Sequence, residues 1–179
     1  MAWIKEIDPK KDKKLNAIYD AAEARTKEKV ANVLKVHSVN PDILKDHIQL
    51  YETLMFHQGS LSRKLREMIG VVVSKANECP YCVSHHAASL FSLTSDKALM
   101  KAVAKDYTKA GLSAQEKQIC DYTFKLTNTP YKMTKADIEA LKEHNLEDKA
   151  IFEINQICAY FNYVNRIVHG LGVELESIR

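Results

Sequence analysis

Two cysteines three residues apart, Cys79 and Cys82, are the residues of this chain whose spacing most clearly permits chemistry. Cys79 stands directly before Pro80 at a predicted helix start, where free backbone N–H groups and the positive end of the helix dipole favour a thiolate. Two thiols at this spacing can also close a disulfide, so that one sulfur attacks and the other resolves. The pair therefore predicts a redox site, with a metal site as the alternative.

A histidine follows the second cysteine at helical spacing. His86 lies four residues after Cys82, and on a helix such residues are neighbours with Cβ atoms about 5–6 Å apart. An imidazole at this position can accept the thiol proton or pair with the thiolate. His85 is rotated by about 100° around the same helix, so at most one of the two histidines faces the thiol. We therefore expect His86 to act and His85 to be solvated or to support the site from outside.

Glu67 is the candidate proton carrier on the preceding helix. A carboxylate placed there could relay protons to the histidine. Taken alone, however, Glu67 follows Arg63, Lys64 and Arg66, and in that setting its simplest interpretation is a surface ion-pair residue. Both interpretations are open at this point.

A zinc site is the main alternative for the cysteine pair. It would use Cys79, Cys82 and either His85 or His86, but a structural zinc site needs four ligands. The chain contains no second C-x-x-C and no H-x₃-H that would complete the set. Covalent haem attachment is excluded, because Val83 follows Cys82 where a histidine would be required. We therefore predict neither a metal nor another cofactor.

The elements that must position these residues are all predicted to be helices. Apolar residues recur at helical period almost everywhere, and no segment alternates as a strand would. The segment from Ser60 or Ser62 to about Asn77 is apolar all round in its second half, which predicts the central buried helix. Cys120 and Cys158 lie on apolar stripes and are expected to be inert core thiols. The predicted helix starts carry cap residues or proline: Asn40-Pro41, Ser60 or Ser62, Cys79-Pro80, Ser95, Ser113 with Glu116, Thr134 and Asp148.

Length and composition limit the class of protein. The chain has 179 residues, of which 46% are apolar and 27% charged, and a net charge of +3. A charge this small does not indicate a nucleic-acid or membrane-surface partner. No apolar run approaches the ~20 residues that span a bilayer, and the N-terminus lacks the apolar region of a signal peptide. We expect one all-α domain of a cytoplasmic enzyme, with about seven to nine helices.

The spacing from glutamate to histidine carries a resemblance. Glu67 lies twelve residues before Cys79, and His86 lies four residues after Cys82. This Glu-x₁₁-Cys-x-x-Cys-x₃-His pattern resembles the alkylhydroperoxidase D family within the carboxymuconolactone decarboxylase superfamily. The resemblance covers most of residues 38–175. The chain is similar to the peroxidase-related subgroup at two further segments: Asn40-Pro41 through Tyr51-Glu52-Thr53-Leu54-Met55-Phe56, and Phe161-Asn162 with Arg166 and Gly170-Leu171-Gly172-Val173.

The resemblance implies a fold and an assembly. It implies an all-α helical bundle of one domain, spanning 38–179, to which 1–37 adds an N-terminal helical segment. It also implies a homo-oligomer, commonly a trimer or a hexamer. A hydroperoxide is the implied substrate, and a dithiol such as a lipoyl-bearing protein is the implied reductant.

The resemblance also implies a role for each residue of the site. Cys82 is the peroxidatic thiolate, His86 and Glu67 form the proton relay, and Cys79 resolves the sulfenic acid into a disulfide. The cap position of Cys79 opposes this order, but only Cys82 has an imidazole four residues on, and that pairing favours Cys82 as the attacking sulfur.

One residue departs from the family pattern. The best-known peroxidase of the family has a histidine next to the second cysteine, where this chain has Tyr81. A shorter relay is therefore expected, with Tyr81 and His85 as outer residues of the site. Together with the cysteine pair, the resemblance implies a thiol-dependent (alkyl)hydroperoxide reductase. A thiol–disulfide oxidoreductase or redox sensor, and a zinc-stabilised helical module, are the alternatives.

Overall fold

Helices account for all the regular structure in residues 2–176, which are the residues that the structure, a computed structural model, describes. This confirms the all-α prediction. Four short 3-10 helices connect or extend the α-helices. The nine α-helices of this part of the chain are α1 (Lys13–Thr26), α2 (Asn32–Lys35), α3 (Pro41–Phe56), α4 (Arg63–Ala76), α5 (Pro80–Thr94), α6 (Lys97–Asp106), α7 (Ala114–Asn128), α8 (Lys135–Lys142) and α9 (Asp148–Leu171).

Local capping explains where the helices around the site begin. Ser62 caps α4, because its hydroxyl accepts a hydrogen bond from the Leu65 N–H. Cys79 is the N-cap of α5, with Pro80 as the first helical residue, as predicted. Ser113 and Glu116 form the predicted capping box at the start of α7. Short-range patterns therefore fix these three starts.

The predicted cap at Ser95 is wrong. Ser95 instead ends α5 in the left-handed conformation, with φ 54° and its N–H bonded to the Phe91 carbonyl. The next residue, Asp96, caps α6 by accepting a hydrogen bond from the Leu99 N–H at 2.8 Å. Ser95 and Asp96 are both suitable cap residues. Because Ser95 is the C-cap of α5, Asp96 is the N-cap of α6.

Helix α4 is the central buried helix, as predicted. Every residue from Arg66 to Ser74 is buried. Its apolar side packs with α5, α6 and α7 in one cluster, and the Lys64 ammonium reaches the Glu116 carboxylate of α7 at 2.6 Å. The members of this cluster are Met68, Val71, Val72, Ala87, Leu90, Val103 and Cys120. The α4–α5 connection therefore sits on a packed scaffold.

The described residues fall into two compact units, 2–52 with 166–176 and 53–165. In the first unit the Trp3 N–H bonds the Leu171 carbonyl at 2.8 Å. Gly172 follows with φ +62°, and an added Cβ there would lie 2.2 Å from the Trp3 ring. The same unit holds the stacked rings of His37 and His47. The second unit contains all the predicted site residues.

No helix within residues 2–176 is both long enough and apolar enough to cross a membrane.

Candidate active site

The turn between α4 and α5 fixes the backbone of the first cysteine. Glu78 is in the left-handed conformation, with φ 54°. The Cys79 N–H bonds the Ser74 carbonyl at 2.9 Å, and the Glu78 N–H bonds the Lys75 carbonyl at 3.1 Å. These two bonds form a Schellman motif, which ends α4. Cys79 therefore closes one helix with its N–H and caps the next with its sulfur.

The two thiols of the motif lie against each other. The Sγ atoms of Cys79 and Cys82 are hydrogen-bonded to each other at 2.7 Å, and the Cys82 N–H donates to the Cys79 sulfur at 3.4 Å. Both cysteines are free, and they are only 0% and 3% exposed. The sulfurs are thus in contact but farther apart than the ~2.05 Å of a disulfide.

Hydrogen bonding shifts the pKa values of the two thiols in opposite directions. The pKa of Cys79 is lowered, chiefly by the hydrogen bond from the Cys82 thiol and also by the N–H groups of Cys82 and Tyr81, although burial opposes them. The pKa of Cys82 is raised by its bond to Cys79, by burial and by the Cys79 charge, while a hydrogen bond from Asn165 lowers it. The pair loses its first proton as a unit, with the charge favoured on Cys79.

This order differs from the sequence expectation that an imidazole makes Cys82 the more acidic thiol. The Nδ1 atom of His86 is directed at Glu67, at 2.6 Å from its Oε2 atom. The partner of the Cys82 sulfur is instead the Cys79 sulfur, at 2.7 Å. The spacing of four residues predicted an imidazole that pairs with Cys82, whereas the Nδ1 atom of His86 meets Glu67.

Glu67 is a buried residue, not the surface ion-pair residue that its neighbours suggested. It is 0% exposed, because it lies on the central helix α4 with its carboxylate against the His86 ring of α5. One carboxylate oxygen accepts the hydrogen bond from His86, and the other pairs with the Arg63 guanidinium. The Glu67 carboxylate is thus held between an imidazole and a guanidinium, which is the geometry that the relay interpretation requires.

Arg63 is a site residue that the sequence did not single out. Its Nη1 atom donates to the Met55 carbonyl at 2.7 Å, and its guanidinium centre lies 3.8 Å above the Phe56 ring. These contacts hold the guanidinium against Glu67. The spacing of four residues between Arg63 and Glu67 was a usable signal, but the same spacing is common on solvated helices.

Gly70 and Phe161 shape the other side of the imidazole. The rings of Phe161 and His86 meet edge to face, with centroids 4.3 Å apart. A Cβ added at Gly70 would lie 3.0 Å from both His86 and Phe161. A side chain at this position would crowd both rings, and glycine leaves them room against α4. A glycine inside an otherwise apolar helix was the sequence signal for this close approach.

Comparison with known proteins gives a family match over part of the chain and two similar structures over almost all of it. The carboxymuconolactone decarboxylase family matches residues 41–91, a stretch that includes Glu67, Cys79, Cys82 and His86. The uncharacterized peroxidase-related protein from Silicibacter sp. TM1040 has a TM-score of 0.91 and 28% identity, over 98% of this chain and 92% of that one. The alkylhydroperoxidase AhpD core protein from Ralstonia eutropha JMP134, also peroxidase-related, has a TM-score of 0.89 and 27% identity, over 98% and 93%.

The sequence match and the fold both support a relationship to the alkylhydroperoxidase D and carboxymuconolactone decarboxylase superfamily.

The fold is shared more widely. The debrominase Bmp8, in complex with 2,3,4-tribromopyrrole, has a TM-score of 0.82 and 17% identity, over 97% of this chain and 91% of that one. At this identity the likeness shows the fold alone. No curated protein matches the chain by sequence.

The residues expected at the edge of this superfamily site occupy different environments. Tyr81 is buried and gives its N–H to Cys79. His85 is exposed, and its ring stacks at a tilt on Tyr81 with centroids 4.5 Å apart. Cys120 and Cys158 are buried core thiols, as predicted. Among residues 2–176, no three His, Cys, Asp or Glu side chains come together as a metal site would need.

Proposed function

We propose that this protein reduces hydroperoxides with the Cys79–Cys82 pair and recycles the pair with a dithiol. The observation that carries the proposal is the contact between two free thiols at the start of α5, 2.7 Å apart. A partly buried His86–Glu67 hydrogen bond lies one helical turn beyond Cys82. Two structurally similar proteins, from Silicibacter and Ralstonia, are described as peroxidase-related.

The first step is attack of a thiolate on the peroxide. The singly ionised pair has one proton between its two sulfurs, and transfer of that proton to Cys79 leaves the charge on Cys82. The Cys82 sulfur then attacks the terminal oxygen of the hydroperoxide, and the O–O bond breaks. The alkoxide leaves with the bonding electron pair and takes a proton from His86 to become the alcohol. Cys82 is left as a sulfenic acid.

The second step closes a disulfide. The Cys79 sulfur attacks the sulfenic sulfur of Cys82, and the leaving hydroxide takes the Cys79 proton to form water. A dithiol reductant of the lipoyl type then opens the Cys79–Cys82 bond through two exchange reactions and leaves as its own disulfide. In sum, one hydroperoxide and one dithiol give one alcohol, one water and one disulfide.

Glu67 and Arg63 support the histidine in this scheme. The Glu67 carboxylate bonds the Nδ1 atom of His86, which fixes the orientation of the ring and leaves Nε2 as the atom that exchanges protons with the substrate. Arg63 pairs with the second oxygen of Glu67. A buried carboxylate without a cationic partner is costly, so Arg63 keeps Glu67 in place.

The experiment that tests this function is steady-state peroxide consumption. Purified protein is supplied with cumene hydroperoxide and either dihydrolipoamide or dithiothreitol, and the loss of hydroperoxide is measured. We expect turnover that requires both substrates and disappears in Cys82→Ser. A protein that exchanges disulfides with lipoamide but consumes no hydroperoxide is a thiol–disulfide oxidoreductase or redox sensor. Stoichiometric zinc in the purified protein would favour the zinc-stabilised module.

The choice of attacking sulfur has its own test, because the hydrogen bonds favour charge on Cys79 and the resemblance assigns attack to Cys82. Each single serine variant is treated with peroxide and a dimedone-type probe for sulfenic acid. We expect a labelled Cys82 in Cys79→Ser and no label in Cys82→Ser. Labelling of Cys79 in Cys82→Ser at the wild-type rate would reverse the two roles.

We also propose that the protein is a homo-oligomer, a trimer or a hexamer, in the cytoplasm. Phe56, which is 57% exposed, lies over the Arg63 guanidinium, so a subunit contact there would border the relay. Light scattering at micromolar concentration tests the assembly. A mass of 20.3 kDa, that of one chain, would contradict it.

A further inference from the structure

Three asparagine side chains form a hydrogen-bonded chain beside the thiols. The Nδ2 atom of Asn77 donates to the Oδ1 atoms of Asn162 and Asn165, at 2.9 and 3.0 Å. Asn77 is the C-cap residue of α4, two residues before Cys79. The other two asparagines lie on α9. The network therefore joins the turn that carries the cysteines to the longest helix of the chain.

The contact with Asn77 determines which way the Asn165 amide faces. Because the Asn165 oxygen accepts from Asn77, its Nδ2 atom points to the other side, where it donates to the Ser74 hydroxyl at 3.3 Å. The same side chain hydrogen-bonds the Cys82 sulfur. With the oxygen already taken, the amide presents a donor to that sulfur, and a donor favours the thiolate over the thiol.

Burial makes this donor effective. Asn165 is 0% exposed, and a hydrogen bond counts for more where water does not compete with it. The Cys82 N–H donates to the Cys79 sulfur at 3.4 Å, and besides Asn165 that same N–H is the group that lowers the pKa of Cys82. The Asn165 amide is thus the side-chain donor that opposes the effects raising the Cys82 pKa.

We propose that Asn165, held in orientation by Asn77, is a positioning residue that stabilises negative charge on the Cys82 sulfur. This inference deepens the proposed function and rests on it for its use, since attack by Cys82 needs charge on that atom. Asn165 does not touch the peroxide in this account. It acts by lowering the free energy of the state of the singly ionised pair in which Cys82 carries the charge.

The test measures the acidity of Cys82 in a background where Cys79→Ala has removed the other sulfur. The pH dependence of Cys82 alkylation by iodoacetamide, followed by peptide mass spectrometry, gives the pKa directly. Adding Asn165→Ala should raise that pKa by about one unit, because hydrogen bonds to charged groups are among the stronger ones. Asn165→Asp keeps the side-chain shape but replaces the donor by an anion, and it should raise the pKa further.

Asn162→Ala is the matched control. It removes the neighbouring amide of the same helix and the same network, but no bond to Cys82. It should leave the Cys82 pKa within about 0.3 units. If Asn165→Ala unfolds the protein, Asn77→Ala tests the same claim. Without Asn77 the Asn165 amide can rotate away from Cys82, so the Cys82 pKa should rise, but by less than the rise expected for Asn165→Ala.

Equal Cys82 pKa values in the Asn165→Ala and Asn162→Ala proteins would overturn the proposal and reduce Asn165 to a packing residue. The measurement uses no peroxide and no reductant. An absence of peroxide turnover would therefore refute the proposed function and leave the pKa result intact. An unchanged pKa would refute the role of Asn165 and leave peroxide reduction intact.

Discussion

The four buried cysteines of this chain occupy two kinds of place, the α4–α5 turn and the interiors of long helices. Cys120 lies within α7, where burial and the nearby acidic groups raise its pKa to about 12. Cys158 lies within α9, where burial raises its pKa to about 11 although Thr127 and Asn162 hydrogen-bond its sulfur. Burial is common to all four, so burial does not distinguish a reactive thiol from an inert one.

What differs is the backbone around each sulfur. In the middle of a helix every N–H is already bonded to a carbonyl, whereas the first turn leaves its N–H groups free. Cys79 stands at such a start and receives N–H groups from Tyr81 and Cys82, in addition to the Cys82 thiol. The turn that ends α4 therefore creates the pair of contacting thiols, because it places one cysteine at the cap and the second one turn later.

The largest effect should come from replacing cysteines of the two kinds. Cys79→Ser and Cys82→Ser should each lower dithiol-dependent peroxide turnover by about 10³-fold or more. The two thiols act as one unit, so removal of either thiol should cost nearly as much as removal of both. Cys120→Ala and Cys158→Ala are the controls and should stay within about threefold of wild type once corrected for folded protein. A large loss in either control would show that turnover does not belong to the α5 pair.

The relay should give the next largest effect. His86→Ala should slow oxidation of the pair by about 100-fold and Glu67→Gln by less, since general acid–base groups typically contribute 10²–10⁴-fold. Stopped-flow measurement of thiol loss with peroxide gives both rates. His85→Ala changes the exposed neighbour on the same helix and should have a far smaller effect. Rates within about twofold of wild type for His86→Ala would make His86 a packing residue only.

A smaller effect should follow from crowding the imidazole. Gly70→Ala places a methyl group 3.0 Å from His86 and Phe161, so the ring must shift and oxidation should slow by about tenfold. Alanine is otherwise the better helix residue by about 0.5–1 kcal/mol. Gly111→Ala, where an added Cβ meets nothing within 4 Å, is the control. Unchanged oxidation in Gly70→Ala would mean that the position of the ring does not limit the reaction.

The smallest effect concerns the turn itself. Glu78 holds a left-handed conformation, with φ 54°, which costs an ordinary residue about 1–2 kcal/mol and glycine much less. Glu78→Gly should raise the free energy of unfolding by about 0.5–1 kcal/mol, after the greater freedom of glycine in the unfolded chain is subtracted. Urea denaturation measures the gain. Glu78→Ala keeps the side-chain cost and should show no gain; equal stabilities of the two variants would contradict the account.

The parts of this site that depend on neighbouring residues could be predicted from the sequence, and the parts that depend on packing between helices could not. The start of α5 was readable because a cysteine cap and Pro80 act within one helical turn. The burial of Glu67 was not readable, since Arg63 at the same spacing also suits a solvated helix. Asn165 comes from a helix distant in the sequence, and no local pattern links it to Cys82. Contacts between distant helices are decided by packing, which a single sequence does not display.

The central claim is that peroxide oxidises the α5 pair and no other thiol. Fully reduced protein is mixed with one equivalent of hydroperoxide, quenched with an alkylating agent, and the four cysteines are mapped by peptide mass spectrometry. The account predicts a Cys79–Cys82 disulfide, formed with the loss of two hydrogen atoms, and full alkylation of Cys120 and Cys158 after unfolding. Four alkylated cysteines, or oxidation at Cys120 or Cys158 with the pair intact, would contradict it.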